Sequence, residues 1–191
     1  AIVSVDDHCE TIELGTQRSI DWLTQAYYSN TKKIHSPSSY ENAINFVRST
    51  SVFSSKVTEE KVYRRIAFDG EKFYIDLGRK DWQIFEITKD SRKMIPYSEK
   101  TPMFIRSKNM SIQVEPCLNY NGNPLEEFGK LVRIDNDLFK VHMICNFLEG
   151  IPTPIMANLG HAGGAKTTVS GMIRQIIDPA GSSITDNVTA F

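Results

Sequence analysis

The chain has 191 residues, with 22 Lys and Arg against 23 Asp and Glu, and its net charge of −1 carries no global signature of nucleic-acid binding. Its 40% apolar and 24% charged content fits one globular domain, or one and a fraction, with a sizeable core. No apolar run nears eighteen residues, no signal peptide is present, and Cys9, Cys117 and Cys145 form neither a disulfide framework nor a metal-type spacing with the four histidines, so a soluble, cytoplasmic protein without membrane association is expected.

The first dozen residues are polar and weakly patterned, which predicts only a short strand or a disordered start. Residues 17–30 carry Ile20, Leu23, Ala26 and Tyr27 at helical spacing, with Thr16 as a candidate N-cap. After the polar loop 31–36, Pro37 opens a second helix whose apolar face is Ala43, Ile44, Phe46 and Val47. The short connection predicts a helical hairpin. From Lys61 the period becomes two. Residues 62–68, the Asp69-Gly70 turn and residues 71–77 make a strong β-hairpin pattern. Residues 82–88 predict a third strand and 92–95 a short fourth, which gives an antiparallel meander. Residues 96–124 are irregular, with 103–106 and 111–114 as candidate short strands and 119–124 as a loop.

Pro124 starts a third helix over 125–131, extending at most to Val132. Asp135 is the candidate cap of a fourth, in which Leu138, Val141, Ile144, Cys145 and Leu148 follow helical spacing through Glu149; Gly150 and Pro152 end it. A short apolar run, 154–159, predicts a strand, and 169–177 a further helix. The tail beyond Pro179 reads as loop or disorder. The fold class expected is therefore α+β: a helical hairpin, an antiparallel meander and further helices, then the first strand–loop–helix unit of a truncated NTPase domain. The predicted division is an N-terminal α+β domain over 1–124 and an incomplete P-loop domain over 125–191.

Between the predicted strand and the last helix stands Gly160-His161-Ala162-Gly163-Gly164-Ala165-Lys166-Thr167-Thr168. Strand, glycine-rich turn, Lys-Thr and helix is the order a phosphate-binding loop requires. Backbone N–H groups of the turn and of the helix start would face the phosphates. In this pattern Gly160, Gly163, Gly164, Ala165, Lys166, Thr167 and Thr168 are the candidate nucleotide-binding residues. Lys166 would pair with β- and γ-phosphate oxygens, and the Thr167 hydroxyl would complete the shell of Mg²⁺. The strict pattern has glycine before the lysine, where this chain has Ala165.

Gly164-Ala165-Lys166-Thr167 resembles the Ala-Lys-Ser or Ala-Lys-Thr variant of minichromosome maintenance helicases and some other AAA+ ATPases, which implies that alanine here is compatible with ATP. Upstream, Phe73-Tyr-Ile-Asp-Leu-Gly78, Trp82, Glu86-Ile-Thr88, Phe104-Ile-Arg106, Met110 and Glu115-Pro116 are similar to a family of ATP-binding proteins. That family is encoded on plasmids, phages and integrated elements, often beside primase or polymerase domains, and is replicative-helicase-like. Its loop helix also ends in Asp-Pro, as Asp178-Pro179 does here, so the similarity covers about residues 12–179. Ile105-Arg106-Ser107 departs from the family's Arg-Arg-Pro. The resemblance implies ATP and Mg²⁺ as cofactors of the full-length protein, single-stranded or duplex DNA as partner, and a homo-oligomer formed through the missing ATPase domain.

Other candidate chemistry is weaker. Residues 54–108 hold 13 Lys and Arg against 9 Asp and Glu, while 109–152 hold 3 against 6. Within the basic stretch Lys61, Arg64, Arg65, Arg79, Lys80, Arg92 and Lys93 alternate with Tyr63, Phe73, Tyr74 and Trp82. Such a mix can hold single strands by phosphate pairing and stacking, or can be a solvated face over an aromatic core. Glu59-Glu60 and Glu126-Glu127 are adjacent in sequence and read as charged helix starts rather than paired acids. His161 reads as a variable loop position, and Asp178, at a helix end, is not assigned to magnesium. The expected function is the N-terminal fragment of a helicase-like P-loop ATPase that does not hydrolyse ATP by itself, so no catalytic residue is assigned. The alternative is a non-enzymatic α+β module that binds nucleic acid or a partner and carries a vestigial loop.

Overall fold

In the computed structural model, which describes residues 1–5, 8–54, 59–134, 136–152 and 154–181, the fold is mixed α+β with five helices and small sheets. The chain opens with a regular antiparallel pair, β1 (Ile2–Val5) and β2 (His8–Thr11), where sequence predicted little. A distant contact fixes this pair: the Thr11 hydroxyl is hydrogen-bonded to the Tyr97 hydroxyl, with Val3 and Ile12 buried alongside. Glu10, also buried, is bonded to Arg18 and to His8.

The helical hairpin forms as predicted. Helix α1 (Gln17–Thr31) is capped by Thr16, which accepts from the Ser19 N–H, and it stops where Lys32 turns left-handed. Helix α2 (Pro37–Phe53) has Ser36 as its cap and proline in its first turn. Ser19 in α1 and Ile44 in α2 are the buried residues, and the seam is largely polar. Ser19 Oγ meets the Tyr40 hydroxyl at 2.7 Å, and Thr24 Oγ1 meets His35 Nε2 at 2.7 Å.

The meander follows in order: β4 (Ile66–Phe68), β5 (Phe73–Asp76), β6 (Gln83–Ile87) and β7 (Arg92–Pro96), each antiparallel to the next. Asp69 closes the first turn. Its Oδ1 accepts from the N–H groups of Glu71 (2.9 Å) and Lys72 (2.8 Å), and its Oδ2 from the Tyr74 hydroxyl (2.9 Å). Burial acts to raise the pKa of this carboxyl, but those bonds outweigh it and the net shift is downward. Gly70, at φ +105°, supplies the left-handed turn residue.

The predicted first strand, 62–68, is split. Before β4 the chain forms β3 (Val62–Tyr63), which pairs in parallel with β8 (Met103–Phe104), and the ladder breaks at Arg64-Arg65. Arg65 shares inward-facing parity with Ala67 and keeps the β4–β5 register, its carbonyl accepting from the Asp76 N–H at 2.8 Å, while Tyr63 still pairs toward β8; the chain changes partner at Arg64. Residues 111–114 form no strand. Their hydrogen bonds go to two different neighbours, Ser111 N to the Pro179 carbonyl and Gln113 N to the Leu77 carbonyl, beside a single bridge between Met110 and Ala180.

Helix α3 (Pro124–Val132) is capped by Asn123, and α4 (Asp137–Cys145) by Asn136. The predicted cap, Asp135, lies outside the described residues, as does the tail 182–191. Helix α4 stops at Cys145 and does not run to Glu149. The Asn146 side-chain amide donates to the His142 carbonyl at 2.7 Å, and tighter bonds follow, Phe147 N to Ile144 O and Leu148 N to Cys145 O. Helix α5 (Lys166–Ile177) begins three residues earlier than predicted.

Two apolar clusters result. Ala67, Tyr74, Trp82, Ile84, Tyr97 and Phe104 pack one face of the meander, whereas Val132, Phe139, Met143 and Ile173 join α3, α4 and α5. Under the first cluster Asp76 is fully buried, held by Arg106 through Nε (2.8 Å) and Nη2 (2.6 Å). The same guanidinium lies 3.7 Å from the Trp82 ring centre, and Trp82 sits at φ +53°, a rare place for a bulky residue. Arg106→Ala strands the Asp76 carboxylate and is expected to cost about 3–5 kcal/mol in urea unfolding. A loss below about 1 kcal/mol would show that the pair is dispensable.

Candidate functional site

The predicted loop residues sit at the start of α5. Lys166 is the first helical residue, and Ala165 before it adopts φ +54°, ψ 20°. Gly163 is also left-handed, at φ +80°. Gly164 donates its N–H to the His161 carbonyl at 3.2 Å, and a Cβ on Gly164 would come within 3.1 Å of that oxygen. Small residues are what allow the turn to close this tightly. Alanine has no side-chain acceptor, so the first N–H groups of α5 have no cap from residue 165.

Lys166 folds back across the loop. Its Nζ donates to the Gly160 carbonyl at 2.8 Å and to the His161 carbonyl at 2.7 Å. One ammonium group and the positive end of a twelve-residue helix therefore share a turn of small residues, an arrangement with the polarity an oxyanion requires. Thr167 and Thr168 follow in the first helical turn with exposed side chains, and His161 is exposed as well. The Val169 N–H bonds to the Ala165 carbonyl and starts the helical ladder.

The predicted strand before the loop is not formed. Residues 154–159 carry no ladder, and Ile155 and Leu159 are 98% and 92% exposed. A strand needs a neighbour for its backbone groups, and among the described residues none lies beside this segment. Two contacts tie it to the helices: Met156 packs on the second apolar cluster, and Asn158 Nδ2 donates to Ser170 Oγ at 2.9 Å.

The basic and aromatic residues of the meander do not make a stacking platform. Tyr74 and Trp82 are buried, and Tyr63 and Phe73 half-buried. Most of the cations have acidic partners: Lys72 and Lys93 on Glu86, Arg79 on Asp81 and Glu115, Lys61 on Glu149 and Arg65 on Asp178. Arg64, Lys80 and Arg92 remain as exposed charges. The solvated face over an aromatic core is the arrangement found.

Sequence inspection counted Arg65 among the basic residues of the meander and missed that it is buried. This residue is 5% exposed, and all five of its N–H donors are used. Nε donates to Asp178 Oδ1 (2.7 Å), Nη1 to the Asp76 carbonyl (3.2 Å) and Gln113 Oε1 (3.5 Å), and Nη2 to the carbonyls of Ser111 (3.1 Å) and Pro179 (3.2 Å). Its parity with Ala67, a charge at an inward position of an alternating run, was the available signal. Asp178 thus serves as an ion-pair partner at the end of α5.

Comparison with protein-family models, curated proteins and solved structures finds no match to this chain. Ala165 gives the loop its own test. Replacing it with glycine relieves about 1 kcal/mol of left-handed strain and adds unfolded-chain entropy of similar size, so Ala165→Gly should leave urea stability within about 0.5 kcal/mol of the parent. Gly163→Ala, by contrast, should cost about 1 kcal/mol.

Proposed function

We propose that this chain is the N-terminal part of a P-loop ATP-binding protein, a replicative-helicase-like ATPase of a mobile element or a relative of one. On this reading residues 125–191 open the ATPase domain and 1–124 form the α+β domain in front of it. One observation carries the reading: Lys166 begins α5 with its ammonium drawn onto the turn 160–161, beside helix N–H groups that have no side-chain cap. Phosphate oxygens would take the place of the Gly160 and His161 carbonyls as acceptors for Nζ, a stronger, charge-assisted pairing. Residues 160–165 would supply backbone donors, and the exposed Thr167 hydroxyl an oxygen ligand for Mg²⁺. ATP is held by these groups, while its hydrolysis would require acidic residues that the loop itself does not contain. DNA as the object of movement and self-association through the ATPase domain belong to the same proposal.

The alternative, a nucleic-acid-binding module with a vestigial loop, has less support. The aromatic residues it would use for stacking are buried or half-buried, and most of its cations are paired. Titration of a fluorescent ATP analogue with Mg²⁺ separates the two. Binding that weakens about tenfold or more in Lys166→Ala, the loss of one charge-assisted contact, is expected, with no turnover by residues 1–191. Equal affinity of the variant and the parent, or salt-sensitive binding of single strands that Arg64→Ala and Lys80→Ala reduce, would favour the module instead.

A further inference from the structure

We infer that Arg65 is a positioning residue for the loop at the far end of α5, an inference that rests on the phosphate-binding reading of that loop. Helix α5 has twelve residues, so its ends stand about 18 Å apart and any tilt at one end is carried to the other. Its apolar face, Val169, Ile173 and Ile177, packs on Val132, Phe139 and Met143. Apolar contact fixes how closely the helix lies on α3 and α4 but is non-directional, so it leaves slide and rotation weakly set.

Directional restraints come mainly from the two ends. At the N-terminal end they are the Lys166 contacts with the Gly160 and His161 carbonyls, with Asn158 on Ser170 one turn further in. At the C-terminal end they form a clasp. Arg65 reaches Asp178 and the Pro179 carbonyl with the same guanidinium that holds the carbonyls of Asp76 and Ser111. Around it Ser111 N donates to Pro179 O, Gly181 N to Asn109 O, and the Gln113 side-chain amide to Ile176 O. The end of α5 is thereby fixed to the end of β5 and to residues 109–113.

A phosphate competes for Lys166, the very group that restrains the N-terminal end. Once Nζ turns to phosphate oxygens, Asn158 on Ser170 is the remaining directional bond near that end, and the orientation of α5 depends chiefly on the clasp. Arg65 thus sets where Lys166 and Thr167 stand when they meet the ligand. Coupling of this kind is reciprocal, so a ligand that fixes the loop also steadies residues 109–113.

The test uses the full chain and two variants. Asp178→Asn removes the charge from an exposed side chain, and Arg65→Lys keeps the charge but loses the planar fork. Amide hydrogen exchange is followed with and without MgATP, and affinity is read with a fluorescent ATP analogue. Without nucleotide, exchange over 160–168 is expected to quicken several-fold in both variants while the β6–β7 pair, 83–96, which Arg65 does not touch, stays unchanged; affinity should fall about tenfold. In the parent chain MgATP should slow exchange over 109–113, and in Asp178→Asn it should not. Unaltered exchange over 160–168 together with unaltered affinity in the variants would overturn the positioning role and leave the phosphate reading standing. Faster loop exchange in the variants of a chain that binds no ATP would support the positioning role and overturn the phosphate reading. If Arg65→Lys fails to fold, Asp178→Asn decides.

Discussion

The guanidinium of Arg65 is the constraint on which the rest of the arrangement turns. Taking an arginine out of water is expensive unless every donor finds an acceptor. Here the acceptors come from Asp76, Ser111, Gln113, Asp178 and Pro179, five residues spread over more than a hundred positions of the chain. None of them can be missing without leaving a buried donor unpaired. Burying this one side chain therefore obliges the meander, the irregular stretch after it and the end of the last helix to arrive at the same place. Contacts between Glu149 and both Lys61 and the Phe68 N–H reinforce the junction nearer the surface.

A second buried charge organises the sheet from inside. Asp76 accepts from Arg106 through both carboxylate oxygens, and from the Gly78 N–H, so its charge is fully employed. Arg106 in turn covers the Trp82 ring, which holds an unfavourable backbone angle for an aromatic residue against Tyr97, 5.2 Å away. Strain at Trp82 persists because the cation above it and the ring beside it determine its place together. The two arginines act on either side of one strand end, Arg65 on the carbonyl of Asp76 and Arg106 on its carboxylate.

What could be read from the sequence was whatever is settled locally. Thr16, Pro37, Pro124 and Asp69-Gly70 act on backbone groups within a few residues, and the elements they start appear where expected. A turn of small residues followed by a helix was legible around 160–177 for the same reason, although the helix begins at Lys166 and not at Val169. Elements decided by distant partners were not legible. The β1–β2 pair depends on Thr11 meeting Tyr97, 86 positions away, and the burial of Arg65 depends on acceptors as far off as Pro179. Residues 154–159 have strand-like composition without a strand-like neighbour, and composition alone does not make a ladder. Helix α4 ends early because Asn146 caps it with its own side chain, a competition that spacing of apolar residues does not register.

The polar seam of the helical hairpin has a consequence for how the molecule comes apart. Helices of 15 and 17 residues are marginal alone in water, and α1 and α2 bury one residue each to hold them in place. The Ser19–Tyr40 hydroxyl bond that joins them, and the bond from Thr24 to His35 in their connection, are nearly as favourable when remade to water. The sheet, with buried Arg65 and with Arg106 on the buried Asp76 carboxylate, has no such exchange open to it. Heat should therefore dissolve the chain in two stages, the hairpin first and over a broad range, then the clasped remainder in one sharp step.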